Sequence, residues 1–123
     1  MMRRTPKNRS DREVAKAIAL QLPDVELGSH HGTMDIRVRN RIFATFPAQS
    51  KVVVLKCSPE NLRLMTAQSP ATFSKVWGET WVQVALDAID RPTLQQLLID
   101  AWLLAAPPAL RRMHEGNLAN RVR

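Results

Sequence analysis

The chain has 123 residues, with 18 lysines and arginines against 11 aspartates and glutamates, a formal net charge of +7. That length fits one domain around one core, and 45% apolar with 24% charged residues is the mix of a soluble globule, not of a disordered chain. No apolar run reaches the roughly 20 residues of a membrane-spanning helix, and no apolar signal core follows the basic N-terminus. The single Cys57 excludes an internal disulfide or a multi-cysteine metal site and suits a reducing cytoplasm, the expected location.

Ser10-Asp11-Arg12-Glu13 has the capping-box form, and Val14, Ala17, Ile18 and Leu22 follow at roughly helical spacing. A first helix is expected from about Asp11 to Leu22, stopped by Pro23-Asp24. A strand around Val25–His30 comes next. Met34, Ile36 and Val38 then alternate with Asp35, Arg37 and Arg39, the period-2 pattern of a half-buried strand. Arg39-Asn40 reads as a tight hairpin turn, because Asn tolerates positive φ, and Ile42, Ala44 and Phe46 resume the alternation. Lys51–Cys57, apolar on both faces in its middle, is a central strand.

Ser58-Pro59-Glu60 starts a second helix, packed by Leu62, Met65 and Leu64 and stopped by Ser69-Pro70. Thr80–Asp87 alternates again, with Val82, Val84 and Leu86 on one face and Trp81 and Gln83 on the other. Leu94, Leu97, Leu98, Ala101, Trp102 and Ala105 form the clearest helical stripe, capped by Asp90 and ended by Pro107-Pro108. Trp77 and Trp102 read as core anchors. Short turns force antiparallel neighbours, so the fold class is α+β: a two-layer sandwich with an antiparallel sheet and helices on one face. The other face is partly open and carries Asp35, Arg37, Arg39, Phe43 and Trp81.

The charge excess is terminal. Residues 1–16 hold six basic and two acidic residues, 110–123 hold four and one, and 17–109 hold eight of each. The expected organisation is one domain over 11–108 with basic tails at 1–10 and 109–123. Such tails either grip phosphates without reading bases or simply solvate the ends.

Little in the sequence points to catalysis. His30, His31 and Asp35 invite a metal reading, but neighbouring strand histidines point to opposite faces and no further ligand is evident, so no metal and no cofactor is expected. Cys57 sits before a helix start, which could activate it, or is buried as a small hydrophobe. Four glycines allow neither a P-loop nor a dinucleotide fingerprint. Arg37, Arg39 and Arg41 with Trp81 could hold a phosphate and stack a base; alternatively they pair with Asp35, Glu79 or Asp87 across strands.

The run from His30-His31-Gly32 through Asp35, Arg37-Val38-Arg39-Asn40-Arg41 and Ile42-Phe43-Ala44-Thr45 resembles the signature hairpin of the MmcQ/YjbR-like family. Ala19, Leu22-Pro23, Val25-Glu26, Trp77-Gly78, Trp81-Val82, Ala101-Trp102 and Ala105-Ala106-Pro107 are similar to its other landmarks. The likeness spans about residues 11–108. It implies a two-layer order α-β(3)-α-β(2)-α, with a short strand before Trp77, related in shape to secretion chaperones and frataxin-like folds. Asn40-Arg41 stands where the family usually has Gly-Lys, Ile36 where it often has Phe, and Pro108 where a Lys commonly follows the final Ala-Pro.

Members of that family are commonly labelled DNA-binding, and the resemblance brings no enzymatic activity with it. The leading expectation is a non-enzymatic, sequence-nonspecific DNA-binding module using the hairpin arginines and basic tails. The alternatives are a chaperone-like protein-interaction module on the open sheet face, or an anionic-metabolite site at His30, His31 and Asp35 beside Arg37. The partners expected are thus nucleic acid or a protein and not a membrane, for a monomer or weak homodimer.

Overall fold

The computed structural model describes residues 10–121. The N-terminal tail expected over 1–10 lies, except for Ser10, outside the described residues. Helix α1 (Asp11–Leu20) is capped as its sequence dictates, with the Ser10 hydroxyl accepting from the Glu13 amide at 3.1 Å. It ends two residues earlier than the apolar spacing implies. The amides of Gln21 and Leu22 turn back to Ile18 and Ala19, tightening the last turn ahead of Pro23.

Four strands follow: β1 (Val25–His30), β2 (Thr33–Val38), β3 (Arg41–Phe46) and β4 (Val52–Lys56). After α2 (Pro59–Gln68) come β5 (Phe73–Lys75), β6 (Trp81–Ala85), a single 3-10 turn, α3 (Arg91–Ala105) and α4 (Pro108–Arg121). The six strands form one antiparallel sheet in the order β1-β2-β3-β4-β6-β5. The α+β sandwich is the expected class, with the four strands before α2 that the residue patterns outline and one more than the resemblance implied.

Two tight hairpins build the first half of the sheet. His31 and Gly32 turn at φ 49° and 77°, and Arg39 and Asn40 at φ 49° and 68°. Positive φ at both central residues matches the twist of the flanking strands, so the expected Arg39-Asn40 turn forms.

A bulge then changes which side chains of β3 face inward. Ile36 pairs Ala44 but Arg37 pairs Ile42, leaving Phe43 as the extra residue. A bulge of this kind sends two successive side chains to one face. Phe43, expected on the open face, is therefore fully buried beside Ala44 in the core, while Ile42 joins Arg37 outside it. Simple alternation could not have located that extra residue.

The core lies between one sheet face and all four helices. Ile36, Val38, Phe46, Val53, Leu55, Val82 and Val84 meet Ala15 and Ala19 of α1, Leu62 of α2, Leu98 and Trp102 of α3 and Leu110 of α4. Trp102 is the largest fully buried residue, and its indole donates to the Pro23 carbonyl at 2.9 Å. The α2 and α3 starts use Ser58 and Asp90 as caps on the Asn61 and Thr93 amides. Leu64, expected to pack α2 down, is instead exposed.

The C-terminal region also departs from expectation. Pro107-Pro108 ends α3, but Pro108 also opens α4, since proline at the first helical position sacrifices no hydrogen bond. Leu110 inserts into the core, and the His114 ring lies 5.0 Å from that of Trp102. Residues 108–121 are thus helical, with Leu110 and His114 packed where a solvated tail was expected, and residues 122–123 lie outside the described residues.

Candidate functional site

On the face away from the core, register places Gly28, Asp35, Thr45, Val54, Gln83 and Ser74 side by side across all six strands. Asp35, Thr45 and Val54 at the centre of this row are buried yet stand outside the helical core.

Asp35 is the hub of the hairpin side. Arg37 donates from Nε to Oδ1 at 2.7 Å and from Nη2 to Oδ2 at 3.1 Å, and His30 donates from Nδ1 to Oδ2 at 2.7 Å. An ionised carboxylate only accepts, so Nδ1 carries the proton in this pair. Burial pushes the Asp35 carboxyl up, but hydrogen bonds from Arg37 and His30 outweigh it and hold it below the ordinary aspartate range.

Gly28 makes room for this grouping. A Cβ there would stand 2.8 Å from both Arg37 Nε and Asp35 Oδ1. Arg37 spends its remaining donors locally, Nη2 on the Ser29 carbonyl at 3.1 Å and Nη1 on Asn40 Oδ1 at 3.2 Å. It therefore braces β1, β2 and the hairpin turn, and little donor capacity is left for a phosphate.

The other hairpin residues do not converge with it. Arg39 lies in the turn, off the strand face expected for it, and its Nε donates to Asp24 Oδ2 at 2.6 Å. Arg41 is exposed and makes no ion pair among the described residues. His31 sits exposed in its turn, its ring edge to face with that of His30 at 6.1 Å between centroids. Among the described residues no three His, Cys, Asp or Glu side chains are placed to hold a metal. A carboxylate-anchored histidine suits base chemistry only beside a substrate site. Cavities of about 430, 330 and 210 Å³ lie elsewhere, around Asn61 and Arg111, Arg12 and Lys51, and Val14 and Leu94. Cys57 is buried, and burial pushes its thiol up despite the nearby Lys56 charge. That opposes nucleophile activation.

Trp81 occupies a second centre. Between Arg37 and Trp81 stand three strand spacings, roughly 14 Å, so the two residues do not share one site. Trp81 pairs Lys56 across β4 and β6, and Lys56 Nζ lies 5.0 Å from the ring centroid, a cation–π arrangement. Trp77 meets Trp81 edge to face at 6.0 Å. Trp77 was expected in the core, yet it is 63% exposed, because it precedes Gly78 in the loop between β5 and β6. Lys75 pairs with Glu79 at 2.7 Å, and this contact, with a smaller contribution from Arg63, holds the Glu79 carboxyl low. The Trp-Gly pair was the available signal for an exposed indole. Lys56 became part of the site only through strand register.

A family model described as YjbR matches residues 20–104. Among solved structures, the Deinococcus radiodurans protein DR2400, with family-model domain DUF419, superposes with a TM-score of 0.71 at 19% identity, over 85% of this chain and 86% of its own. A Pseudomonas syringae protein superposes with a TM-score of 0.55 at 15% identity, over 72% of this chain and 93% of its own. At such identities the likeness is one of fold. No curated protein matches the chain. No helix among the described residues is long and apolar enough to cross a membrane.

Proposed function

The chain belongs to the YjbR family, and from that premise we propose that it is a non-enzymatic, sequence-nonspecific nucleic-acid-binding protein whose contact surface is the β4–β6 end of the sheet. The observation that carries this reading is Lys56, which has no carboxylate partner among the described residues and stands over Trp81. Cations beside aromatic rings are the chemistry that tracks a phosphate backbone while tolerating any base. The hairpin arginines are secondary in this reading, since Arg37 and Arg39 already hold carboxylates. Basic residues 3, 4, 7 and 9 of the sequence add long-range attraction.

Fluorescence anisotropy with a labelled oligonucleotide across a salt series tests the reading. Binding is expected to weaken steeply with salt, and Lys56→Gln should flatten the slope by about one phosphate contact. Absence of binding at low ionic strength refutes it. A slope altered only by deleting residues 1–9 would move the contact to that segment.

A second reading has its own observation. Among the described residues β1 pairs only with β2, which makes it a sheet edge, and Leu27 on it is 49% exposed. An edge with an apolar side chain can accept a strand from a protein partner. Leu27→Lys should abolish such association and leave oligonucleotide binding unaltered.

A further inference from the structure

Trp77 stands in the loop that closes the β5–β6 hairpin, where the Val76 amide donates to the Trp81 carbonyl at 3.5 Å. Its φ of 53° lies in the left-handed region, and Gly78 follows at φ 102°. A bulky side chain there costs about 1–3 kcal/mol, and such strain concentrates at binding sites. The fold therefore holds a strained backbone in order to present an indole that is 63% exposed. Burying that ring would have been the more stabilising use of it.

The neighbours sharpen what the ring can meet. Lys56 covers a face of Trp81, and Trp81 in turn buttresses Trp77 at an interplanar angle of 66°. Trp81 is thus already partnered, and Trp77 is the member of the pair with accessible π surface. Beside them Lys56 supplies a positive charge that no carboxylate among the described residues neutralises, whereas Lys75, in register with Val82, is paired with Glu79 toward the helix-covered face. A flat exposed ring beside an unneutralised cation is complementary to a ligand whose flat unstacked ring adjoins an anion.

Building on the nucleic-acid reading above, we propose that this loop is a stacking site for an unpaired strand, in which one base lies on Trp77 and Lys56 holds an adjoining phosphate. Bases within a duplex are stacked on one another and offer no face to an indole at a hairpin tip. A single strand offers one at every nucleotide. Because every base has a π face, the site is tolerant of sequence.

The test compares oligodeoxythymidine of about 12 nucleotides, a length within the site sizes of strand-binding folds, with a mixed-sequence duplex of the same length. Affinities are measured at low ionic strength by anisotropy, together with the intrinsic tryptophan fluorescence. The thymidine strand should bind about tenfold more tightly than the duplex and quench tryptophan emission. Trp77→Ala should remove most of that preference and the quenching, and Trp77→Phe should restore part of both. Circular dichroism and Tm establish that the variants are folded, as expected for an exposed position. Equal affinity for strand and duplex, or an equal loss of both in Trp77→Ala, overturns the stacking site while the nucleic-acid reading stands. Binding of neither probe overturns both.

Discussion

Arg37 grips Asp35 through two parallel hydrogen bonds although the residues are only two apart on β2, so their side chains lie along one face of the strand. The carboxylate is fully buried and the guanidinium is a quarter exposed. Loss of the two partners should therefore be unequal. Arg37→Met leaves a buried charge with only His30 as partner and should destabilise by about 3 kcal/mol. Asp35→Asn leaves a guanidinium that can rehydrate and should cost about 1 kcal/mol. Urea unfolding of both variants checks the order, and a reversed order contradicts the account.

Gly28 is small because of the pair opposite it. Gly28→Ala should cost about 2 kcal/mol, since two locked polar atoms must move. In an Arg37→Met background that cost should fall by about 1 kcal/mol, read as coupling in a double-mutant cycle. Additive effects would mean that the crowding lies elsewhere.

The Asp35 carboxyl is held low in the fold. Its contribution is therefore complete above the ordinary aspartate value of about 3.9 and is lost as pH falls through the lower folded value. Glu79 and Asp90 are also held low and act in the same direction. Stability of the wild-type chain should fall on acidification below about pH 4, and Asp35→Asn should fall less steeply. Identical slopes would remove Asp35 from the acid response.

Thr45 presents the opposite case. Its hydroxyl is buried with no hydrogen-bond partner among the described residues. Thr45→Val keeps the shape and removes the unsatisfied oxygen, so it should stabilise by about 1 kcal/mol in thermal or urea unfolding. A loss of stability would show that the oxygen is satisfied in solution.

Helix α4 belongs to the folded body. Leu110→Ala should cost about 2–4 kcal/mol, the usual range for a buried leucine, whereas exposed Arg112→Ala should change stability by less than about 0.5 kcal/mol. Equal, small effects would return the segment to a solvated tail.

Local signals made much of the fold legible. Ser10, Ser58 and Asp90 cap their helices because a short oxygen-bearing side chain can reach a free amide within its own turn. Arg39-Asn40 turns the chain, and the stripe ending at Trp102 and Ala105 faces the core, because both follow from backbone geometry over a few residues. Of the expected site, His30 and Asp35 do meet, and Asp35 does take Arg37 as its partner.

Other features depended on distant partners. The bulge that buries Phe43 arises from the match between β2 and β3, so no pattern within β3 alone reveals it. Helix α4 has a polar, basic sequence and is retained because Leu110 and His114 reach the space beside Trp102. Lys56 and Trp81, 25 positions apart, become neighbours only through register. The sequence by itself determined the strands, the caps, the class of the fold and the electrically balanced body between basic ends, because these rest on periodicity and composition. The tertiary structure alone decided which arginines are occupied and which tryptophan is exposed, because ion pairing and burial depend on what the fold brings within a few ångströms.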